Sequence, residues 1–137
     1  MDDDAPCPCG RAGTFGPLTF ARCCGRWTGP AATPAPDAES LMRSRYSGYV
    51  RRDVAHLLAT WDASTRPRDL DLEDGPEWLG LQLVSAGDAG TSGGRPAAVV
   101  EFVATYRDAD GRVRRMRERS RFTRRGDRWF YVDGDVS

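Results

Sequence analysis

The chain has 137 residues, of which 39% are hydrophobic and 29% charged, and its 20 basic and 20 acidic residues give a formal net charge of zero. This composition excludes wholesale disorder, collagen and coiled coil, and the length suits about one domain. All 20 basic residues are Arg and His56 is the one histidine, which excludes mechanisms that need a Lys nucleophile or two imidazoles.

The first residues and the apolar runs predict a cytoplasmic protein with no membrane span. The longest apolar runs, such as Ala97 to Val100, fall well short of the ~20 residues that cross a bilayer. The chain opens with Met1 and three Asp residues, with no basic segment followed by an apolar one, so we expect no secretory signal.

All four cysteines lie in the first 24 residues, as a Cys-Pro-Cys-Gly run and a Cys-Cys-Gly run. A disulfide framework would spread through the fold, whereas clustered cysteines in a cytosolic protein more often bind metal. Pro8 and Gly10 favour a sharp turn, which lets two thiolates reach one ion. The pattern predicts a closed, structural Zn²⁺ site whose ligands are Cys7, Cys9, Cys23 and Cys24. Two disulfides, or thiols without a function, remain the alternatives.

Three segments are predicted along the chain. Residues 1–27 form the zinc-binding segment, residues 28–37 a Pro/Ala linker, and residues 38–137 an α+β domain. The linker is expected to be extended because proline disfavours a helix. A site of Zn²⁺ and four thiolates carries a formal charge of −2, which Arg11, Arg22 and Arg26 are placed to offset.

Two helices are predicted after the linker. Asp37 suits the N-cap of the first, and Arg51-Arg52 suit its C-terminal end, where the helix dipole favours positive charge. Asp53 is expected to cap a second, short helix with an apolar face that includes Leu57 and Trp61. Residues 62–77 are polar and contain two prolines, so they are predicted to form a loop.

Four strands are expected to follow the loop. They are predicted at residues 78–85, 97–107, 112–124 and 128–132, separated by a glycine-rich turn at 87–96 and by turns at Asp110-Gly111 and Gly126-Asp127. Helices followed by a meander of strands indicate an α+β fold.

The N-terminal segment resembles the SEC-C motif, a small zinc-binding unit that reads Cys-x-Cys, a spacer, then Cys followed by His or Cys. The four cysteines match its ligand positions, and Gly10 and Gly25 match its flanking glycines. Thirteen residues separate Cys9 from Cys23. This spacer is longer than the usual one, and we expect it to bulge or to carry a short turn.

Several blocks of the remaining chain resemble the YchJ family of bacterial proteins, which pairs SEC-C with a nuclear transport factor 2-like domain. The blocks are Leu41–Tyr49, Leu58–Trp61, Ser64–Arg66, Trp78–Leu81, Val100–Ala104, Glu118–Phe122 and Arg128–Gly134. The resemblance implies a nuclear transport factor 2-like cone, in which a curved antiparallel sheet wraps round N-terminal helices and leaves a pocket. The family has no established reaction, so the resemblance implies a fold and a metal site but no activity.

Strand alternation predicts which residues of the third strand are covered. Met116, Glu118, Ser120 and Phe122 share one face, and Arg115, Arg117, Arg119 and Arg121 share the other. A covered Glu118 needs a partner, for which Arg43 and Arg45 of the first helix are candidates. An ion pair that fixes helix against sheet is the simpler interpretation, and a general base in a pocket is the other. The candidate pocket residues are Arg43, Arg45, Tyr46, Tyr49, Trp61, Trp78, Glu101, Glu118 and Tyr131.

Charge is unevenly distributed. Residues 53–90 carry a local net charge of −6 and residues 95–128 one of +6. The sequence therefore favours a binding or adaptor module that presents its Arg-rich strand, residues 112–125, to a protein, ribosome or RNA partner. The alternative is a cone that binds a small molecule, as an enzyme or not, which requires a pocket of ~300 Å³ or more with converging polar groups. A purely structural protein is the third hypothesis. No catalytic residue is predicted, and His56 is expected to lie at the surface or between helices.

Overall fold

The computed structural model describes residues 3–29 and 32–137, so Met1, Asp2 and the linker residues Pro30 and Ala31 lie outside the described residues. In chain order it contains a small hairpin (β1, Ala12–Gly13; β2, Gly16–Pro17), a 3-10 turn at Cys24–Trp27, two helices (α1, Ala38–Arg51; α2, Val54–Ala59) and four long strands (β3, Glu77–Ser92; β4, Arg95–Arg107; β5, Val113–Arg125; β6, Arg128–Val136). Within the described ranges, every helix is too short or too polar to cross a bilayer.

Both helices are capped by the aspartates that the sequence predicts. The Asp37 carboxylate accepts a hydrogen bond from the backbone N–H of Ser40 at 2.7 Å, and the Asp53 carboxylate accepts one from His56 N–H at 3.1 Å. Each bond satisfies a donor that the first helical turn leaves free. Arg52 ends α1 in a left-handed conformation with φ of 57°, which turns the chain directly toward α2.

The four long strands form one antiparallel sheet in the order β3-β4-β5-β6. The prediction of a turn over residues 87–96 is wrong in length. β3 and β4 run through most of this range, and the chain reverses direction only at Gly93-Gly94. Gly90, with φ of 73°, lies where the β3–β4 register shifts, so it forms a bulge within the strand. The last strand also runs further than predicted, to Val136 instead of Val132.

The concave face of the sheet covers α1, and the core lies between them. Val100 and Phe122 from the centre of the sheet are almost fully buried there, as are Leu41 and Met42 of α1. β5 alternates as predicted. Between Met116 and Phe122 the side chains at even-numbered positions face inward, and the arginines between them face outward. This alternation separates a charged outer surface from an inner surface that faces α1.

The N-terminal segment packs against α1. Arg11 donates hydrogen bonds to Glu39 at 2.7 Å and to Ser40 at 3.1 Å. Further along the helix, the Arg51 guanidinium lies 3.7 Å from the centre of the Phe20 ring. α1 therefore has the cysteine segment on one side and the sheet on the other.

Candidate functional site

The four cysteines form a compact buried cluster. Their Sγ atoms all lie within 4.8 Å of one another, and none of the four is in a disulfide. The Sγ atoms of Cys9 and Cys23 are 3.6 Å apart. That distance is close to the ~3.8 Å edge of a tetrahedron of sulfurs bound ~2.3 Å from zinc, and far above the ~2.05 Å of a disulfide. The residues therefore fit a tetrahedral metal ion.

Local turns bring the two cysteine pairs together. Gly10 N–H donates to the carbonyl of Cys7 at 3.1 Å, with Gly10 at φ of 76°, so the first pair lies on a tight turn. The long spacer folds as the β1–β2 hairpin, which returns the chain to the first pair. Behind the second pair, a Cβ on Gly25 would lie 2.7 Å from the carbonyl oxygen of Phe20. Only glycine fits at that position.

Polar groups around the cluster hold the cysteine backbone. Arg43 donates to the carbonyl of Cys9 at 3.1 Å, and Arg26 donates to the carbonyl of Cys23 at 3.1 Å. These guanidinium groups are placed to offset the negative charge of ligated thiolates. Two residues that contact the cysteines were not predicted to lie beside the N-terminal segment. Arg43 was expected in the pocket, and Ser47, whose Oγ lies 3.5 Å from Cys7 Sγ, was not singled out.

Hydrogen bonds among the thiols make their proton affinities unequal. Bonds from Cys24 and Cys9 lower the pKa of Cys7, and the bond between Cys23 and Cys24 raises the pKa of Cys24. A thiol has to lose its proton to bind metal, so metal binding at these four cysteines would release protons and would weaken as the pH falls.

A cavity of about 240 Å³ lies between α1 and the concave face of the sheet. Its lining comprises Met42, Arg45, Tyr46, Tyr49, Trp78, Phe102, Ala104, Met116, Glu118, Ser120, Phe122 and Tyr131. Six of the nine residues predicted for a pocket are in this set. The apolar and aromatic members of the lining were foreseeable in part, because several share a strand face with Glu118.

Three predicted pocket residues lie elsewhere. Arg43 faces the cysteine segment, as described above. Glu101 points outward from β4, where it accepts a hydrogen bond from Arg117 at 2.8 Å. Trp61 lies beyond the end of α2, with the Arg45 guanidinium 4.9 Å from its ring centre. Its indole Nε1 is buried and has no hydrogen-bond partner among the described residues.

Arg45 is the most deeply buried charge of the cavity, with 5% of the residue exposed. Its Nη1 donates to the carbonyl of Leu57 at 2.8 Å and to the hydroxyl of Thr60 at 2.7 Å. The guanidinium carbon lies 4.6 Å from the ring centre of Tyr131 and 4.9 Å from that of Trp61, and these two ring centres are 5.2 Å apart. Burial lowers the pKa of Arg45 to about 10, so the group stays charged at neutral pH.

Glu118 lies in the same cavity but forms no ion pair with Arg43 or Arg45, the partners that the sequence suggested. Instead its carboxylate accepts hydrogen bonds from the Ser120 hydroxyl and, at 3.4 Å, from the Tyr131 hydroxyl. Within the described residues, no basic side chain lies within 4 Å of this carboxylate. The ordinary ion pair between helix and sheet is therefore not formed.

Aromatic side chains form one end of the cavity. The ring centre of Trp78 lies 6.0 Å from those of both Tyr46 and Tyr49. Tyr49 and Trp78 also line a neighbouring cleft of about 450 Å³ beside the loop that contains Asp71 and Leu72. These two side chains consequently stand between the inner cavity and a cleft nearer the surface.

His56 is not part of the cavity. Its Nε2 lies 2.9 Å from the hydroxyl of Ser44, between the two helices. Burial lowers the pKa of His56 to about 4, so the imidazole is neutral at pH 7. The prediction of a helix-packing residue matches this position.

Half of the arginines on the Arg-rich strand are compensated by acids. Arg117 pairs with Glu101 and Arg121 with two aspartates of β6, while Arg114 pairs with Asp108 and Arg125 with the buried Asp62. The other four arginines form no ion pair within 4 Å among the described residues; they are Arg112, Arg115, Arg119 and Arg124.

The fold and the two sites define a class of protein. It is a curved α+β cone that is preceded by an N-terminal segment whose four cysteines could hold a metal ion. Residues 37–134 match the family model described as YchJ, middle NTF2-like domain, and the chain belongs to this family.

Relatives resemble the chain over nearly its whole length. It is 50% identical over 134 residues to a UPF0225 protein of Polaromonas sp. (strain JS666), covering 96% of this chain and 94% of that protein. It is 49% identical to a UPF0225 protein of Xanthomonas oryzae pv. oryzae, covering 93% and 92%.

Two solved structures share the architecture. The solution structure of a SEC-C motif containing protein from Rhodopseudomonas palustris superposes with a TM-score of 0.77 and 27% identity, covering 95% of this chain and 97% of that one. The crystal structure of a SEC-C motif containing protein from Psychrobacter arcticus gives 0.74 and 26%, covering 98% and 84%. The nuclear transport factor 2-like fold predicted from the sequence is confirmed.

Proposed function

We propose that this protein binds a small organic molecule in its inner cavity, and that a structural zinc ion at the four cysteines holds the N-terminal segment against α1. The observation that carries the proposal is the presence of a buried Arg45 and of Glu118 in one mainly apolar cavity. Apolar walls with a few convergent polar groups are typical of ligand sites. The cavity of about 240 Å³ does not reach the ~300 Å³ that the sequence analysis required for this hypothesis, and the proposal is therefore restricted to ligands smaller than that.

Zinc is the proposed metal because four thiolates in a closed, buried set are typical of structural zinc sites. Such a site has no position open to water, so its role is to stabilise the segment and not to catalyse a reaction. This part of the proposal rests on the donor set and on the distances between the sulfurs.

Methionine NMR tests the cavity directly, since Met42 and Met116 both line it. With ¹³C-methyl methionine labelling, we expect titration with indole to shift both methyl signals. Ala104→Leu places three extra carbons in the cavity and should reduce the shifts at least about fivefold. Val103→Leu, on the opposite face of β4, is the matched control and should leave them unchanged. Equal shifts in all three proteins, or none in the wild type, would contradict a ligand cavity.

An adaptor role is the second candidate, favoured by the four unpaired arginines of the Arg-rich strand. Ion pairs at the surface contribute only ~0–1 kcal/mol, so the paired arginines can also turn toward an anionic partner. We propose contact with a protein, ribosome or RNA partner in the cytoplasm.

Fluorescence anisotropy with a labelled 20-nucleotide single-stranded RNA tests the RNA form of this candidate. Binding should weaken at least about tenfold between 50 and 200 mM salt. Arg115→Gln with Arg119→Gln should reduce that salt dependence, while Arg22→Gln in the N-terminal segment should not. No binding at 50 mM salt would remove RNA from consideration.

A further inference from the structure

Two opposite charges line the inner cavity, and neither forms an ion pair within 4 Å among the described residues. A guanidinium has five N–H donors. In Arg45, Nη1 donates to the Leu57 carbonyl and the Thr60 hydroxyl, and Tyr49 is a further side-chain partner, which leaves donors without a partner among the described residues. Buried charges in proteins are normally paired and hydrogen-bonded, so a guanidinium with spare donors at a cavity wall is a position suited to an anion.

Tyr131 contacts both charges. The Arg45 guanidinium lies 4.6 Å from the centre of its ring, while the Glu118 carboxylate accepts a hydrogen bond from its hydroxyl at 3.4 Å. Among the described residues, Arg45 and Glu118 form no ion pair within 4 Å, yet both line the same cavity of about 240 Å³. One small molecule in that cavity can therefore contact both charges.

Apart from the hydroxyl groups of Ser120 and of three tyrosines, the rest of the cavity lining is apolar. Met42, Phe102, Met116 and Phe122 supply most of the remaining wall, and Trp78 closes one end. A net charge of zero between Arg45 and Glu118 disfavours a ligand with an uncompensated charge, because one of the two groups would then repel it or stay unpaired. A ligand that suits this lining has an apolar body and, next to it, a compact polar part that carries one positive and one negative charge.

We propose that the cavity binds a small zwitterion with an apolar side chain, of the α-amino acid type, whose carboxylate pairs with Arg45 and whose ammonium group pairs with Glu118. This inference rests on the proposed ligand-binding function and names its ligand class.

A set of matched probes tests the ligand class. L-Phenylalanine, L-leucine and L-methionine carry both charges, 3-phenylpropanoate lacks the ammonium group, and 2-phenylethylamine lacks the carboxylate. Calorimetry and the Met42 and Met116 methyl signals of the full chain report binding. We expect at least one amino acid to bind about tenfold or more tightly than either single-charge analogue.

Glu118→Gln keeps the size of the side chain and removes its charge. It should weaken amino-acid binding about tenfold while leaving the affinity for 3-phenylpropanoate unchanged or higher. Glu101→Gln, an equivalent change on the outer face of the sheet, should alter neither. If Glu118→Gln does not fold, as judged by circular dichroism, the probe set on the wild-type protein decides.

The outcomes separate this inference from the proposed function. Indole binding without amino-acid binding, or equal affinity for the single-charge analogues, would overturn the zwitterion and leave the ligand cavity standing. Absence of binding by indole and by every amino acid would overturn both.

Discussion

At the scale of single residues, Arg45 and Arg43 differ in surroundings although they lie two positions apart. Arg45 shares the cavity stripe of α1 with Met42, Tyr46 and Tyr49, at the three- and four-residue spacing of one helix face. Arg43 shares the opposite face with Ser47 and contacts the cysteine segment. Helix periodicity could therefore have separated the two arginines, but the sequence does not say which face meets the sheet.

Other residues of the site were beyond sequence reasoning for a physical reason. Cys7, Cys9, Cys23 and Cys24 could be predicted to lie together as a set able to hold a metal ion, because their spacing and chemistry are local signals. Tyr131, which comes from another strand, contacts both Glu118 and Arg45. Contacts of that kind are set by packing over long sequence distances and leave no pattern in a single chain.

His56 makes the stability of the protein sensitive to mild acid. Its pKa is about 4 in the folded state, below the ordinary 6.5, because burial disfavours the charged imidazole; Asp53 opposes this effect and Arg45 adds to it. The unfolded chain therefore binds the proton more tightly, and the free energy of unfolding falls as the pH drops from ~6.5 toward ~4, by up to about 3 kcal/mol.

Urea unfolding of the wild type and His56→Gln at pH 7 and pH 5 measures this contribution. The wild type should lose more stability than the variant between the two pH values, because glutamine does not titrate. Acid effects on the cysteines cancel in the difference between the proteins. The same pH dependence in both would show that His56 does not contribute.

At the scale of elements, the helices and β5 were predictable because their signals are local. Asp37 and Asp53 cap the helices as expected, and the alternation of β5 identifies its buried face. The length of β3 was not predictable, because Gly87 and Gly90 are typical of turns. In the folded protein, pairing with β4 supplies the hydrogen bonds of this segment and overrides the weak strand preference of glycine.

At the scale of the whole molecule, α1 joins the cysteine cluster to the cone. The contacts of Arg11 with Glu39 and of Arg43 with Cys9 tie the N-terminal segment to this helix, and its buried Phe20 and Trp27 belong to the same apolar cluster as the core of the cone. Because the four strands are joined by their own backbone hydrogen bonds, we predict that loss of the proposed zinc ion loosens the N-terminal segment and leaves the sheet folded. The division of the chain into residues 1–27, 28–37 and 38–137 remains a prediction from the sequence.

Cys23→Ser with Cys24→Ser tests this division. We expect the double variant to lose bound zinc in elemental analysis and to become sensitive to protease within residues 3–29, while far-ultraviolet circular dichroism still reports the sheet. Ala21→Ser, a change at an exposed neighbour, is the control and should retain the metal. Loss of the sheet signal would mean that the cone depends on the metal segment for its folding.

The alternation of β5 also constrains how this protein can change over evolutionary time. An outward guanidinium can be replaced while the interior stays as it is. Removal of one amino acid would swap the surroundings of every side chain beyond the gap, so that guanidinium groups enter the cavity and Phe122 meets water. Single-base changes in the codons of this strand can therefore alter its outer surface alone, whereas a three-base deletion there exchanges the inner and outer faces beyond the gap unless a bulge absorbs it.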